Sequence, residues 1–185
     1  MRYVEPIRET DWLEEFINYF KENNMRDYVM FMVGIHTGLR ISDILLLKKK
    51  DVLGTHIMLF EKKTGKQKRF IIPRPLKKIL DDYIKDLRNT DYLFKSQKTT
   101  SSGKQKPIDR TRAYRILQEA AIAIGYPEPI GTHSMRKTFG YNFYSKYKEV
   151  ASLMKIFNHN KETTTLFYIG VGQDDLDEKI AGLYR

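Results

Sequence analysis

His159-Asn160-Lys161-Glu162-Thr163-Thr164-Thr165-Leu166-Phe167-Tyr168 sets a histidine nine positions ahead of a tyrosine. Upstream of it stand His133-Ser134-Met135-Arg136, then Lys63-Thr64-Gly65-Lys66, then His36-Thr37-Gly38-Leu39-Arg40-Ile41-Ser42-Asp43. Together these stretches supply two arginines, two histidines, a lysine and a tyrosine, a set able to hold, neutralise and attack a phosphodiester. Tyrosine is a weak nucleophile at its free pKa and needs a base or strong positive charge beside it. Arginine suits phosphate oxygens because its planar fork donates two parallel hydrogen bonds. Taken singly, each motif is ordinary. His-x-x-Arg is usually a surface pair, and a basic run such as residues 62–69 is usually a solvated hairpin tip. A lone tyrosine on a helix is usually half-buried core. Their order and spacing carry the signal.

Charge supports the same direction. With 185 residues and 41% hydrophobic content, the chain is long enough for one domain with a real core. Its net charge of +10 points to a polyanionic partner. The distribution is more telling: residues 48–78 hold eleven Lys and Arg against two acids, and residues 95–115 hold seven against one. Both ends, by contrast, are net acidic. Two basic blocks favour a phosphate-binding face over charge scattered for solubility. The chain has no cysteine, which removes disulfides and thiolate metal sites. A polar start and the lack of a long apolar run imply a cytoplasmic protein with no membrane partner. No cofactor and no metal are expected.

Hydrophobic periodicity predicts mainly helices with a small antiparallel sheet, an α+β class. Thr10 can cap a helix carrying Trp12, Leu13, Phe16, Ile17 and Phe20. A second helix carries Met25, Tyr28, Val29, Met32 and Val33, and Gly38 is placed to end it. A short helix is expected over 44–47, leaving Arg40 in the turn between packed helices. Strands are expected over 56–61 and 69–72, joined by the basic turn. Pro75 can open a helix with Leu76, Ile79, Leu80, Tyr83, Ile84 and Leu87 on one stripe. Residues 96–107 are polar throughout and read as a flexible loop. Asp109 can cap a helix closed by Gly125. His133 and Arg136 fall at the start of the next helix and share a face. Val150, Leu153, Met154 and Phe157 form a further stripe. Thr163 can cap the helix of Tyr168, on which Phe167 is the better core candidate. An acidic amphipathic helix is expected over about 174–184.

In these residues the chain resembles the catalytic domain of tyrosine recombinases, the phage integrase family. The family's order is Arg, Lys, His-x-x-Arg, His, Tyr. The resemblance runs from about Thr10 to the C-terminus, and the 36–43 run is its most specific piece. It implies a catalytic domain only, lacking the family's N-terminal helical core-binding domain. It also implies roles. Arg40 and Arg136 would grip the scissile phosphate, and His159 would add a donor. His133 would handle the nucleophile's proton, and Lys63 would protonate the leaving 5′ oxygen. Tyr168 would attack to form a 3′-phosphotyrosyl bond, with Asp43 supporting the first arginine. Lys62, Lys66, Lys68, Arg69 and Lys137 are the candidate DNA contacts. Two departures stand out: Phe157-Asn158 where the family usually has Leu-Gly, and Lys137 where it commonly has His.

The expected function is therefore site-specific DNA recombination or integration. Expected partners are double-stranded DNA, further copies of the chain joined through the C-terminal helix, and an accessory protein in place of the absent front domain. Three rivals remain open from sequence. They are a non-catalytic DNA-binding protein of the same fold, a type IB topoisomerase-like relaxing enzyme, and a phosphodiesterase using His133 and His159.

Overall fold

The computed structural model describes residues 4–60, 67–100, 103–172 and 180–183. The centre is α2 (Met25–Thr37), a helix apolar on nearly every side, with Val29, Met30, Phe31 and Val33 at 0% exposure. A helix apolar all round must be covered all round. Here α1 (Thr10–Asn23), α4 (Arg74–Tyr83) and α6 (Thr132–Tyr147) pack against it. The α1 stripe delivers Phe16, stacked on Phe31 at a ring distance of 5.7 Å, and Phe20, tilted against it at 5.0 Å. Asn24 caps α2 by accepting from the Asp27 N–H, and Gly38 closes it in the left-handed region at φ 61°. A Cβ at Gly38 would also run into the Phe139 ring. Glycine is therefore required there on two grounds.

The expected short helix sits earlier than the periodicity suggests. α3 spans Ile41–Ile44, with Arg40 at its N-cap in extended conformation, and Leu45 and Leu47 follow in the buried set. β1 (His56–Phe60) and β2 (Gln67–Ile71) pair antiparallel with His56 opposite Ile71 and Phe60 opposite Gln67. The connecting turn with Lys62, Lys63 and Lys66 lies outside the described residues. α4 carries the expected stripe, though the helix ends at Tyr83 and Ile84 packs as its cap.

Residues 95–107 depart from the expected loop. Lys95–Thr99 forms β3 and Gln105–Pro107 forms β4, an antiparallel pair. Its strands are almost wholly polar and largely exposed, so no alternating apolar pattern announces them. Backbone pairing holds them, with the Gln105 side-chain amide donating to the Ser96 carbonyl. α5 (Arg110–Ile124) then begins where expected: Asp109 accepts from the Arg112 N–H, and Gly125 ends the helix at φ 72°.

A smaller second core joins α6, α7 (Val150–Phe157) and α8 (Glu162–Tyr168) around Leu153, Phe157 and Ile169. Gly140 is the hinge of that packing, since a Cβ there would lie 2.6 Å from Ile169 and 2.7 Å from Phe157. α8 starts at Glu162, so Thr163 lies inside it and is no cap. Phe167 is 69% exposed, and the buried aliphatic anchor is instead Ile169. That outcome follows from helix phase: the residue one step past Tyr168 points to the core, and Phe167 points away. The N-terminal segment straps this region down, with the Ile7 N–H on Thr138 Oγ1 at 2.8 Å and the Arg8 guanidinium on the Gly170 carbonyl at 2.8 Å. The acidic C-terminal helix expected over 174–184 falls mostly outside the described residues. Among the described residues, no helix is long and apolar enough to cross a membrane.

Candidate active site

The C-terminal end of α7 organises the site. Helix ends leave carbonyls without intrahelical partners, and these carry partial negative charge. The Phe157 carbonyl, at the end of α7, accepts from Arg136 Nη2 at 3.1 Å and from Arg40 Nη2 at 3.5 Å. One backbone oxygen thus gathers two arginines that are 96 positions apart in the chain. Arg136 also donates to the Gly38 carbonyl, and its guanidinium lies 4.2 Å from the Phe157 ring centre. It is 5% exposed, while Arg40 stays open to solvent. Burial pushes the Arg136 pKa down to about 10, countered in part by Tyr168 and Asp43. It remains charged at neutral pH. Asp43, the acid expected to support Arg40, also favours the charged form of Arg136.

The chain departs from the family pattern at the same corner. Asn158 holds the left-handed C-cap at φ 56°, the conformation glycine would otherwise provide. Asparagine is among the few residues that tolerate it. The turn then returns His159, whose N–H bonds the Met154 carbonyl.

Tyr168 reaches back from the end of α8 to His133 on the first turn of α6, with Oη 3.0 Å from Nδ1. Burial raises the phenol's pKa, and the charges of Arg136 and Arg40 work against that rise. Burial lowers the His133 pKa, and Arg136, Lys137, Arg40 and Arg110 lower it further. A neutral His133 can accept the phenol proton at Nδ1, which is the relation a base and its nucleophile need. On its other side His133 borders a cleft of about 100 Å³ shared with Arg40, Ser42, Arg110, Thr132 and Arg136. The cleft is cationic and small, as a phosphate site should be.

His159 is oriented by Thr165, with Nδ1 3.1 Å from Oγ1, while Oγ1 lies 3.3 Å from the Lys161 carbonyl. With the hydroxyl proton on Lys161, Oγ1 accepts from Nδ1–H. Nε2 then donates only when the ring is protonated. Burial, together with Arg136 and Arg40, lowers its pKa in the free protein. An incoming phosphate anion reverses part of that effect.

The fold brings together five of the six expected catalytic residues: Arg40, His133, Arg136, His159 and Tyr168. Lys63 lies outside the described residues. Of the expected DNA contacts, Arg69 is exposed on β2, and Lys62 and Lys66 are not described. Lys68 pairs through its backbone with Leu59. Lys137 differs from the expectation. It is 4% exposed and packs against the Tyr168 ring, because the residue after Arg136 on α6 turns inward. Sequence reading missed Arg110, Thr165 and the Phe157 carbonyl. Arg110 had a signal, since it follows the helix cap Asp109 inside a basic block.

Three histidines depressed by burial also make a stability prediction. Burial depresses His36, His133 and His159, so the folded chain binds fewer protons than the unfolded chain just below the usual histidine range. Stability then rises with pH through that window and falls as pH drops below about 6.5. Thermal melts should give a lower Tm at mildly acidic than at neutral pH. His36→Gln should flatten the dependence, because burial holds the His36 pKa down and the bond its ring donates to the Met32 carbonyl at 2.9 Å offsets that only in part. Equal Tm values at both pH values would contradict this.

Comparison with known proteins agrees with the geometry. The family model described as "Phage integrase family" matches residues 8–173. A protein of Bacillus subtilis named "Probable integrase/recombinase YoeC" is 46% identical over 175 residues, covering 94% of this chain and 93% of its own length. The chain spans 44%, 62% and 52% of three further curated relatives. The crystal structure of XerA recombinase superposes with a TM-score of 0.74 at 19% identity, over 99% of this chain and 67% of that one. XerH recombinase bound to its palindromic difH substrate, in a post-cleavage complex, gives 0.71 at 18%, over 98% and 54%. At those identities the structures speak for the fold, a tyrosine recombinase catalytic domain. With a family model over most of its length and a near full-length relative at 46% identity, the chain belongs to the phage integrase family.

Proposed function

We propose that this chain cuts and rejoins double-stranded DNA by transesterification, as a site-specific recombinase or integrase, with Tyr168 as the nucleophile. The observation that carries the reading is Tyr168 Oη resting on His133 Nδ1 beside an arginine cleft fixed by the Phe157 carbonyl. In the step, the Tyr168 oxygen bonds to phosphorus, its proton passes to His133, and the bond from phosphorus to the 5′ oxygen breaks. Arg40 and Arg136 neutralise the charge that builds on the non-bridging oxygens, and protonated His159 adds a donor. Lys63, in the segment linking β1 to β2 in sequence, gives the departing 5′ oxygen its proton. The phosphotyrosyl bond keeps the phosphodiester energy, so another strand's 5′ hydroxyl can reverse the step without ATP. Lys62, Lys66, Lys68 and Arg69 on the same hairpin contact DNA phosphates. Such activity places the protein on the chromosome, nucleoid-associated in a prokaryotic cytoplasm. Copies of the chain join through the C-terminal segment. Beside Tyr168 an apolar groove of about 830 Å³, bordered by Tyr114, Ile130 and Phe167, offers a surface for apolar side chains of such a segment.

The test is incubation with a nicked duplex that traps the cleaved strand. A denaturant-resistant protein–DNA adduct is expected, and its absence on every duplex offered would reject the reading. Relaxed plasmid without joined products would move the assignment to a topoisomerase.

Lys63 has its own test. A sulfur-substituted 5′ leaving group departs without protonation, so it should restore cleavage to Lys63→Ala but not to Arg136→Ala. Equal behaviour of both variants on that substrate would remove Lys63 as the acid.

A further inference from the structure

Lys137 follows Arg136 on α6, yet its side chain is nearly enclosed. Burying an ammonium is costly unless something compensates it. Its Nζ lies 5.3 Å from the centre of the Tyr168 ring. The same ring meets Phe157 and His159 edge-on, at centroid distances of 5.5 and 5.3 Å, and its oxygen sits on His133. Charged groups surround the pair from every packed element. Glu5 and Arg8 of the N-terminal strap act on Lys137 with opposite signs. His133 and Arg136 share its helix, Arg40 faces the phenol from the start of α3, and His159 faces it from the turn between α7 and α8.

We propose that Lys137 is a positioning residue for the nucleophile, its ammonium holding the Tyr168 ring by the face and favouring the phenolate as the bond to phosphorus forms. This rests on Tyr168 being the nucleophile. A cation is drawn to the electron-rich face of an aromatic ring, more strongly where water is excluded. The attraction grows as the phenol oxygen gains negative charge, so the contact helps more in the transition state than before it. Lys137 neither gives nor takes a proton; that of Tyr168 goes to His133. An exposed lysine reaching a DNA phosphate would have no reason to sit here.

The experiment compares Lys137→Met, which keeps the stem and removes the charge, with Lys137→Arg, and uses Lys137→Gln as a second uncharged form. Adduct formation is followed in single turnovers on the nicked duplex at saturating protein, from neutral to alkaline pH. DNA affinity is measured across salt concentrations. Lys137→Met and Lys137→Gln should both slow cleavage about tenfold, the size expected of one shielded cation–ring contact. Their rate profiles should shift to higher pH, because the phenol is harder to ionise without the cation. Affinity and its salt slope should not change, and Lys137→Arg should stay near wild type. Slower cleavage with an unmoved pH profile would mean packing alone. A loss of affinity and a shallower salt slope, with bound DNA cleaved normally, would mean a phosphate contact. Either overturns the proposal. Failure of the underlying reading looks different: an adduct that survives Tyr168→Phe would remove the nucleophile itself.

Discussion

Tyr168→Phe is expected to abolish the protein–DNA adduct while leaving the fold and the DNA affinity intact. The ring contacts that seat residue 168 involve Phe157, His159 and Lys137, and phenylalanine keeps their aromatic surface. What disappears is the hydroxyl, with its bond to His133 at 3.0 Å and its interaction with Arg136. His133 is partly open to water, so the lost bond should cost stability only about 1 kcal/mol. Filter binding should then give nearly the wild-type Kd, and denaturing gels should show no slower-migrating DNA. Any adduct above background in the Phe variant would mean that another side chain attacks.

How far this site was legible depends on where each group's chemistry is stored. Arg40, His133, Arg136, His159 and Tyr168 are side chains with rare chemistry in a fixed order, and the fold brings all five to one corner. Some helix ends were equally plain: Asp109 as a cap, Gly38 and Gly125 as stops. Thr10 was not, since it lies inside α1 and Glu9 holds the cap position. What escaped is stored elsewhere. The oxygen that gathers the arginines is a backbone carbonyl, which no residue type announces. The β3–β4 hairpin has no apolar alternation because neither face of it is buried deeply, so a pattern search finds only polar residues. Phe167 and Lys137 were assigned by residue type, the aromatic to the core and the lysine to a DNA contact. Phe167 faces away because helix phase gives the core to Ile169, and Lys137 is enclosed because α6 is covered all round from Ser134 to Thr138.

Arg136→Lys, a change that preserves charge, is expected to lower cleavage about a thousandfold, the scale for losing a preorganised donor to a developing oxyanion. The guanidinium here holds two carbonyls on different elements, Gly38 at the end of α2 and Phe157 at the end of α7, while stacking 4.2 Å from the Phe157 ring. A planar fork can serve both carbonyls and still present N–H groups to a phosphate. An ammonium on a flexible stem is a point charge and cannot keep that geometry. One carbonyl would lose its partner in a place that is nearly closed to water, costing about 1–3 kcal/mol of stability. Arg40→Lys is the informative companion. Arg40 is exposed and, among the described residues, bonds the Phe157 carbonyl only at 3.5 Å, so its replacement should damage cleavage with little change in Tm. Single-turnover cleavage and thermal melts on both variants separate the two arginines. If Arg136→Lys cleaves within about tenfold of wild type, the fork is not needed and charge alone accounts for the residue. If both variants melt alike, the Phe157 and Gly38 carbonyls are not what fixes Arg136 in place.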